Sequence, residues 1–352
     1  MKTALQRERK GELSAVNVLF CAMMTYFHVA PQSLAVLDPL SWQYAAVLLV
    51  QRLGCVAVPG FFFLSGLRFT LSSSEKGLLP YYWGRFKRLV IPYAGAAAVY
   101  YAVFVRLGWY VFDWNDLLRQ TLQGTLSDHF YFVIALVQFA LLAPVFRGVV
   151  RRYSPLVLLP PALVLTQFSG QFFTALAQYF PTSPLPHYIR TLFPNFLFYY
   201  LAGCFAGARY EDFRAMLAEN RLPIGVMALI FTAADQLCSF LHYSGRSTIP
   251  FLEQVHLLFY LSGILLLCSL PAPRWEGLWG AVMRAADRAS YLIYLYHGLV
   301  IALFNLWAPS WGITNAGAQL IGRTLAAFGV TGGACILWQR LWAAATGKSE
   351  IV

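Results

Sequence analysis

Two neighbouring stretches decide the fold: FFFLSGL at residues 61–67 and RFKRLVIPY at residues 85–93. The first belongs to an apolar run that is long enough to cross a bilayer, for which an α-helix needs about 20 residues. The second stretch carries three basic side chains immediately before the next apolar run. An apolar run with a small polar break, followed by a basic turn, is typical of a helical membrane protein.

The composition extends this interpretation to the rest of the chain. Of the 352 residues, 59% are hydrophobic and 12% are charged, whereas a soluble domain has about 25% charged residues. The apolar runs are continuous, which favours helices over the alternating strands of a membrane barrel. We therefore predict an all-α integral membrane protein, a bundle of about ten transmembrane helices. We expect residues 1–352 to form a single membrane domain, with no soluble domain and no cleaved signal sequence.

The predicted spans follow the apolar runs. They cover residues 12–31, 43–69, 90–107, 129–146, 155–169, 190–208, 222–241, 252–270, 287–307 and 317–342, each to within a few residues. The fifth span is the least regular because Pro160 and Pro161 interrupt it. The aromatic, proline-rich segment 171–189 is expected to lie at the interface, to re-enter the membrane or to form an ordinary surface loop.

Basic residues are concentrated in alternate loops. The basic loops lie near residues 2–10, 76–88, 147–152, 209–221, 274–288 and 348. By the positive-inside rule this asymmetry predicts that both termini are cytoplasmic. The net charge of +11 is therefore a topology signal, and we expect no nucleic-acid partner. The six cysteines lie in apolar runs without metal-type spacing, so we expect no metal.

Polar residues inside apolar spans are candidates for function because they are costly in lipid. They are His28, Arg52, Gln138, Asn195, Asp235, His256 and His297. His28 lies near the outer end of the first span, and its imidazole is suited to take a proton from an attacking hydroxyl. The alternative is that His28 only hydrogen-bonds a neighbouring helix.

Arg85 and Arg88 are three residues apart, so they share a face if the segment after Pro80 is a short interfacial helix. Pro92 suits the first turn of the span that follows. Two guanidinium groups on one face fit a phosphate or pyrophosphate. The alternative is that they are ordinary positive-inside charges, which also contact anionic lipid.

Three further sets of residues are expected to matter for structure or function, and the first two of them keep two interpretations each. Arg52 either forms a structural ion pair, with Asp235 as a candidate partner, or lines a polar cavity. The pair Ser65-Gly66 indicates close helix packing or a backbone bend. Tyr294 and His297, three residues apart on one helix, are expected to be neighbours in a hydrogen-bonded network.

In their order along the chain, these segments resemble the acyltransferase 3 family of integral membrane acyltransferases. The resemblance is carried by His28, Val58–Gly66 (VPGFFFLSG), Arg85–Pro92 (RFKRLVIP), Phe130–Leu136 (FYFVIAL), Tyr200–Gly207 (YLAGCFAG) and Ser290–His297 (SYLIYLYH). It implies a ten-helix bundle in the cell membrane, with a bacterial plasma membrane as the expected location.

The resemblance also implies an activity. Members transfer an acyl group, commonly acetyl, from cytoplasmic acyl-CoA to a hydroxyl of a cell-envelope sugar or similar acceptor. By resemblance His28 is the catalytic histidine, and Arg85 and Arg88 bind the CoA phosphates. The expected partners are acyl-CoA, a glycan or glycolipid acceptor and membrane lipids.

The other site residues have less defined roles. Asn195, Tyr294 and His297 are candidate donors to the developing oxyanion, and Arg52, Ser65 and Gly66 fall in a patterned region without an assigned role. Transfer is either direct or through an acyl-enzyme.

One departure from the family pattern concerns Asn17. Many members have an arginine eleven residues before the first-span histidine, and asparagine cannot supply its charge. Any role of that arginine is then absent or falls to another residue such as Arg52.

Two other classes of function remain open at this point. A transporter or flippase of a lipid-linked sugar or envelope polymer would also bury polar residues in a bundle. A subunit that organises a polysaccharide-making complex would need neither His28 nor the arginine pair. CoA dependence separates an acyltransferase from both.

Overall fold

The computed structural model describes residues 11–72, 77–180, 185–271 and 275–346, and no strand occurs in these ranges. Nine helices within them are long and apolar enough to cross a membrane. The prediction of an all-α integral membrane protein is confirmed. Parts of the predicted basic loops, including residues 2–10, 274 and 348, lie outside the described residues.

The helices are numbered in chain order, and two of them contain a π-helical segment. They are α1 (Gly11–Val29), α2 (Trp42–Leu71), α3 (Leu78–Arg106, π-helical at Phe86–Val90), α4 (Trp114–Gln123), α5 (Tyr131–Arg152), α6 (Pro155–Tyr179), α7 (Leu197–Ala208), α8 (Tyr210–Glu219), α9 (Arg221–Tyr243), α10 (Leu252–Ser269), α11 (Gly277–Trp307) and α12 (Ala316–Thr346, π-helical at Ala326–Val330).

The sixth predicted span is a broken helix. Two short 3₁₀ turns, Ile189–Thr191 and Phe193–Phe196, precede the twelve-residue α7. Leu192 between the turns is extended, and Pro194 cannot donate a main-chain hydrogen bond. An α-helix of this length rises about 18 Å, less than the hydrocarbon thickness. Whether this segment crosses the membrane decides whether the number of crossings is even. The side of the membrane on which each terminus lies therefore stays a prediction.

The basic segment of residues 85–93 is not a separate interfacial helix as expected. It belongs to the single helix α3, which begins at Leu78 and continues to Arg106. Pro92 lacks a main-chain N–H and sits just beyond the π-helical segment Phe86–Val90. The wider i→i+5 turn changes the hydrogen-bond pattern at this point, which allows the helix to pass the proline without a break.

Helix α6 is also longer than the sequence indicated. It runs through Pro160 and Pro161 to Tyr179, so half of the expected segment 171–189 is helical. Prolines are tolerated in membrane helices because neighbouring groups satisfy the carbonyl oxygens that they leave unpaired. Leu185–Tyr188 forms one further turn, and residues 181–184 lie outside the described residues.

The chain forms two compact units. Unit 1 comprises residues 1–61 and 211–351, and unit 2 comprises residues 62–210. In unit 1, α11 packs against α1 and α12, and α9 packs against α10. Gly60 allows a close contact there, because a Cβ at this position would overlap the buried ring of Phe20. The expectation of a single domain without a soluble part stays a prediction.

Unit 2 has an aromatic core to which three of the segments that carry the resemblance contribute rings. The ring centroids of Phe62 and Phe196 are 4.3 Å apart, as are those of Phe139 and Tyr200. Phe132 packs 4.7 Å from Phe62. Such stacked and tilted pairs add about 0.5–1.5 kcal/mol each beyond the area that they bury. Motifs far apart in sequence thus meet in one apolar cluster.

Candidate functional site

His28 lies one residue before the end of α1, and its side chain is half-buried. Its ring centroid is 5.3 Å from that of Phe27 and 5.2 Å from that of His297. An imidazole that is neither sealed nor fully solvated can exchange a proton with a ligand. This placement meets the requirement for a general base, a role that stays a prediction.

His297 is fully buried in α11, beside His28. Its Nδ1 is 2.7 Å from the main-chain oxygen of Tyr294 and 3.2 Å from that of Ile293. Because a carbonyl oxygen only accepts, Nδ1 carries the hydrogen, and in the neutral ring the lone pair is on Nε2. Tyr294 and His297 are neighbours in a hydrogen-bonded network, as expected. The bond joins Nδ1 of His297 to the main-chain oxygen of Tyr294 and does not involve the tyrosine hydroxyl.

Arg52 forms the expected ion pair with Asp235, with 3.4 Å between Nη2 and Oδ1. His256 joins them through a hydrogen bond of 2.5 Å from its Nδ1 to the same carboxylate oxygen. Nη2 of Arg52 lies over the same ring, 3.0 Å from its Nδ1 and 3.2 Å from its Nε2. We call Arg52, Asp235 and His256 the Arg52 network. The network thus places a guanidinium, a carboxylate and an imidazole in mutual contact.

Asn17 is hydrogen-bonded to the carboxylate of Asp287, a contact that the sequence did not indicate. Its Nδ2 donates to Oδ1 of Asp287 at 2.8 Å and is 2.9 Å from Oγ of Ser290. Both Asn17 and Asp287 are buried. The position at which many family members have arginine therefore faces an acidic side chain, and asparagine offers it a neutral donor.

Ser65 and Gly66 lie on α2, in the part that belongs to unit 2. A Cβ at Gly66 would overlap the main-chain oxygen of Tyr200, and one at Gly203 would overlap that of Phe63. Thr70 donates to the main-chain oxygen of Cys204 at 2.9 Å. Gly66 therefore serves close packing of α2 against α7, one of the two interpretations that the sequence left open.

Asn195 uses both ends of its amide in unit 2. Its Nδ2 donates to the main-chain oxygen of Ile189 at 2.7 Å, and its Oδ1 accepts from Ser169 at 2.5 Å. These bonds tie the 3₁₀ turns before α7 to α6. They give Asn195 a clear structural task, and its expected role as an oxyanion donor stays a prediction.

Arg85 and Arg88 have different surroundings. Arg85 is half-buried, with its Cζ 5.5 Å from the centroid of the Tyr81 ring. Arg88 is exposed within the π-helical segment. Between them, the Lys87 Nζ lies 5.3 Å from the centroid of Trp83. Aromatic contacts of this kind orient a cation while leaving its N–H groups able to donate.

A further arginine in unit 2 joins this region. The Arg147 guanidinium on α5 lies 4.4 Å from the centroid of Phe69. The hydroxyl of Tyr81, beside Arg85, donates to the main-chain oxygen of Ala140 at 3.1 Å, on the same helix as Arg147. We call Arg85, Lys87, Arg88 and Arg147 the basic cluster. Several cations within one unit can bind the phosphates of a ligand.

No group of three or more histidine, cysteine, aspartate or glutamate side chains in the described ranges could hold a metal ion. All six cysteines lie in those ranges, and none forms a disulfide.

A family model described as "Acyltransferase domain" (acyltransferase 3) matches residues 12–339, nearly the whole chain. The chain belongs to this acyltransferase family. It is therefore a multi-pass membrane protein of an acyltransferase family, which implies an acyl donor and an acceptor. No curated protein and no solved structure matches the chain.

Three features of this acyltransferase were missed at the sequence level. Neither Asp287 nor Arg323 was singled out from the sequence, and His256 was named without a partner. Arg323 lies within the last apolar run and is 2% exposed. A lone arginine seven residues inside an apolar span is costly in lipid, and this signal would have identified it.

Proposed function

We propose that the protein transfers an acyl group, with acetyl the first candidate, from acyl-CoA to a hydroxyl of a cell-envelope sugar or similar acceptor. The observation that carries the proposal is the half-buried His28 at the end of α1, in contact with the ring of His297. Family membership supports an acyltransferase. We further propose that both termini are cytoplasmic and that the membrane is a bacterial plasma membrane.

In the proposed chemistry His28 accepts one proton and later gives it up. In a direct transfer, the imidazole accepts the proton of the acceptor hydroxyl while the oxygen attacks the thioester carbonyl. The tetrahedral intermediate then collapses, its carbon–sulfur bond breaks, and the leaving CoA thiolate takes the proton from the imidazolium. In this proposal the ring of His297 lies beside His28 and is held in place through its own Nδ1.

The donor is assigned to the basic cluster. CoA carries several phosphate charges, and guanidinium groups bind phosphate oxygens through charge-assisted hydrogen bonds. Each such bond contributes about 1.5–3 kcal/mol. Arg85 and Arg88 keep their proposed role, and Arg147 becomes a third proposed contact.

The donor proposal is tested by acetyl-CoA binding to the full-length protein in detergent. The double variant Arg85→Ala/Arg88→Ala should bind at least about tenfold more weakly than wild type. Arg151→Ala/Arg152→Ala is the matched control, because it removes two exposed charges from the end of α5. Equal weakening in both variants would indicate a general charge effect and would contradict the assignment.

The base proposal is tested by turnover of acetyl-CoA in membranes that contain the acceptor. His28→Ala should lose transfer while keeping the unfolding midpoint of the wild type, since His28 is only half-buried. His187→Ala, at an exposed histidine, should leave both properties unchanged. Near-normal turnover by His28→Ala would eliminate His28 as the base.

The transporter interpretation receives no support from the Arg52 network. A translocation pathway needs polar groups that can meet a substrate. Arg52 and Asp235 are buried, and they pair with each other and with His256. Although Nε of Arg52 and Oδ2 of Asp235 make no hydrogen bond, this mutual pairing favours a structural role.

A further inference from the structure

Arg323 is the second buried arginine of unit 1, and its hydrogen-bond partners are neutral. It lies on α12 and is 2% exposed. Its Nη2 donates to Oγ of Ser33, and its Nη1 donates to Oδ1 of Asn305 at 3.3 Å. Its Nε has no hydrogen-bond partner. The two neutral contacts orient the guanidinium without balancing its charge.

No carboxylate among the described residues pairs with Arg323. The ion pairs found there involve Arg52, Arg119, Arg214 and His256. A buried cation without a counter-ion is strongly unfavourable, and proteins keep such groups mostly for function. The missing negative charge is therefore expected from a ligand.

Arg323 lies close to the proposed base along the fold. Ser33 follows His28 by five residues, and Asn305 follows His297 by eight residues on α11, a rise of about 12 Å. Between these two levels lies a tightly packed layer of Val29, Ile301 and Ala327. These three residues form one buried cluster. This packed layer separates the level of Arg323 from the level of His28, so a ligand group at Arg323 would occupy a place of its own at this end of unit 1.

The helix that carries Arg323 has an unusual local structure. The π-helical segment Ala326–Val330 begins three residues after it. Such segments are rare and frequently occur at functional sites. A π-helical turn holds one residue more than an α-helical turn. If this turn moved along α12 to the other side of Arg323, the arginine side chain would rotate by about 100° around the helix axis. The only other π-helical segment in the described ranges contains Arg88 of the basic cluster.

We propose that Arg323, oriented by Ser33 and Asn305, binds an oxyanion, a carboxylate or phosphate group, at the His28 end of unit 1. The planar guanidinium retains N–H groups that match two oxygens of such an anion. The anion belongs either to the acceptor or to a lipid headgroup. As an acceptor site the inference rests on the proposed function, and it then limits the acceptors to molecules that carry a negative charge.

The test is the unfolding midpoint of the purified full-length protein in neutral detergent, at constant ionic strength set with sodium chloride. Sodium phosphate and sodium glucuronate are the probes, and glucose is the neutral counterpart of glucuronate. Wild type should gain about 3 °C or more with a saturating anion and nothing with glucose. Arg323→Gln should lose the gain, and Arg323→Lys should keep part of it because lysine retains the charge but not the planar group.

Two further variants keep the test decisive. Arg246→Gln removes an exposed arginine and should respond to anions like wild type. Asn305→Asp places a carboxylate against Nη1 and should abolish the gain in a protein that stays folded. An equal response in wild type and Arg323→Gln, or no response to any anion or anionic lipid, would overturn the inference.

The source of the anion is decided in nanodiscs. Phosphatidylcholine discs are compared with discs that also contain phosphatidylglycerol. One outcome is that phosphatidylglycerol stabilises wild type but not Arg323→Gln, while phosphate and glucuronate have no effect. This outcome would retain the anion site and assign it to a lipid headgroup. Because the assay needs no CoA and no acyl transfer, its failure is distinguishable from a failure of the proposed function.

Discussion

Among the described residues of unit 1 two arginines are buried, and their charges are balanced in different ways. Arg52 is 7% exposed and contacts Asp235 and His256. Arg323 is 2% exposed and donates to Ser33 and Asn305. Each has an Nε without a hydrogen-bond partner, so hydrogen bonding alone does not separate them. The two arginines differ in that Arg52 has a carboxylate partner, Asp235, and Arg323 has none among the described residues.

This difference indicates what each arginine does. A buried pair of opposite charges offsets much of its own desolvation cost, and it needs nothing from outside. A buried cation with neutral partners is stable only where the rest of the fold compensates for it, as happens at binding sites. Arg52 is therefore interpreted as a structural clamp, a residue whose ion pair holds α2, α9 and α10 together. Arg323 is interpreted as a binding site for an anion.

Breaking the Arg52 network should have the largest effect. Arg52→Gln leaves the buried Asp235 carboxylate without its counter-ion, which costs about 3–5 kcal/mol. The yield of folded protein should fall sharply in fluorescence-detected size-exclusion chromatography. Arg52→Gln combined with Asp235→Asn restores electroneutrality and should recover part of the yield. A single variant as stable as wild type would show that the pair does not hold the helices.

The second prediction extends the comparison to a buried carboxylate with an amide partner. Asn17→Leu removes the donor to Asp287 and should lower the free energy of unfolding by about 1–3 kcal/mol. Asn17→Arg would give Asp287 a counter-ion and should be the more stable of the two variants. Thermal unfolding of both proteins checks the order. A leucine variant that matches wild type would argue against a significant Asn17–Asp287 bond.

The third prediction converts the Arg323 site into a copy of the Arg52 network. Asn305→Asp supplies the missing carboxylate and should raise the free energy of unfolding by about 1–2 kcal/mol without added anion. Thermal unfolding in anion-poor buffer measures the change, with Asn305→Ala as the control that adds no charge. A lower midpoint for the aspartate variant than for the alanine variant would contradict an unbalanced charge at Arg323.

The smallest effect is expected at Ser33. Ser33→Ala removes one acceptor of Arg323 and should cost about 0.5–1.5 kcal/mol. It should also weaken the response to phosphate without abolishing it, because the charge remains. Ser33→Thr keeps the hydroxyl and should restore the response, as followed by phosphate titration of the unfolding midpoint. Complete loss of the response in the alanine variant would shift the site from Arg323 towards Ser33.

Much of the fold could be predicted from the sequence, because lipid imposes simple demands on length and polarity. The apolar runs located the long helices, and the polar residues inside spans correctly suggested the pairing of Arg52 with Asp235. The continuity of α3 and α6 could not be predicted, because proline predicts a break locally and the surroundings decide whether a helix continues.

The site was harder to predict because it is built from contacts that are distant in sequence. Asn17 and Asp287 are 270 residues apart, and Ser33 and Arg323 are 290 residues apart. No spacing rule links such positions. His28, Arg85 and Arg88 were proposed from local motifs. Arg147 becomes a candidate only once the helices are packed, whereas the place of Arg323 inside an apolar span was a usable sequence signal.

The most direct test compares Arg52→Gln with Arg323→Gln as purified full-length proteins in neutral detergent without added oxyanions. The unfolding midpoint of Arg52→Gln should fall by several degrees, because a buried carboxylate loses its counter-ion. The midpoint of Arg323→Gln should stay equal to that of wild type or rise, because a buried cation without a counter-ion is removed. Equal falls in both variants would contradict the distinction between a structural clamp and an anion site.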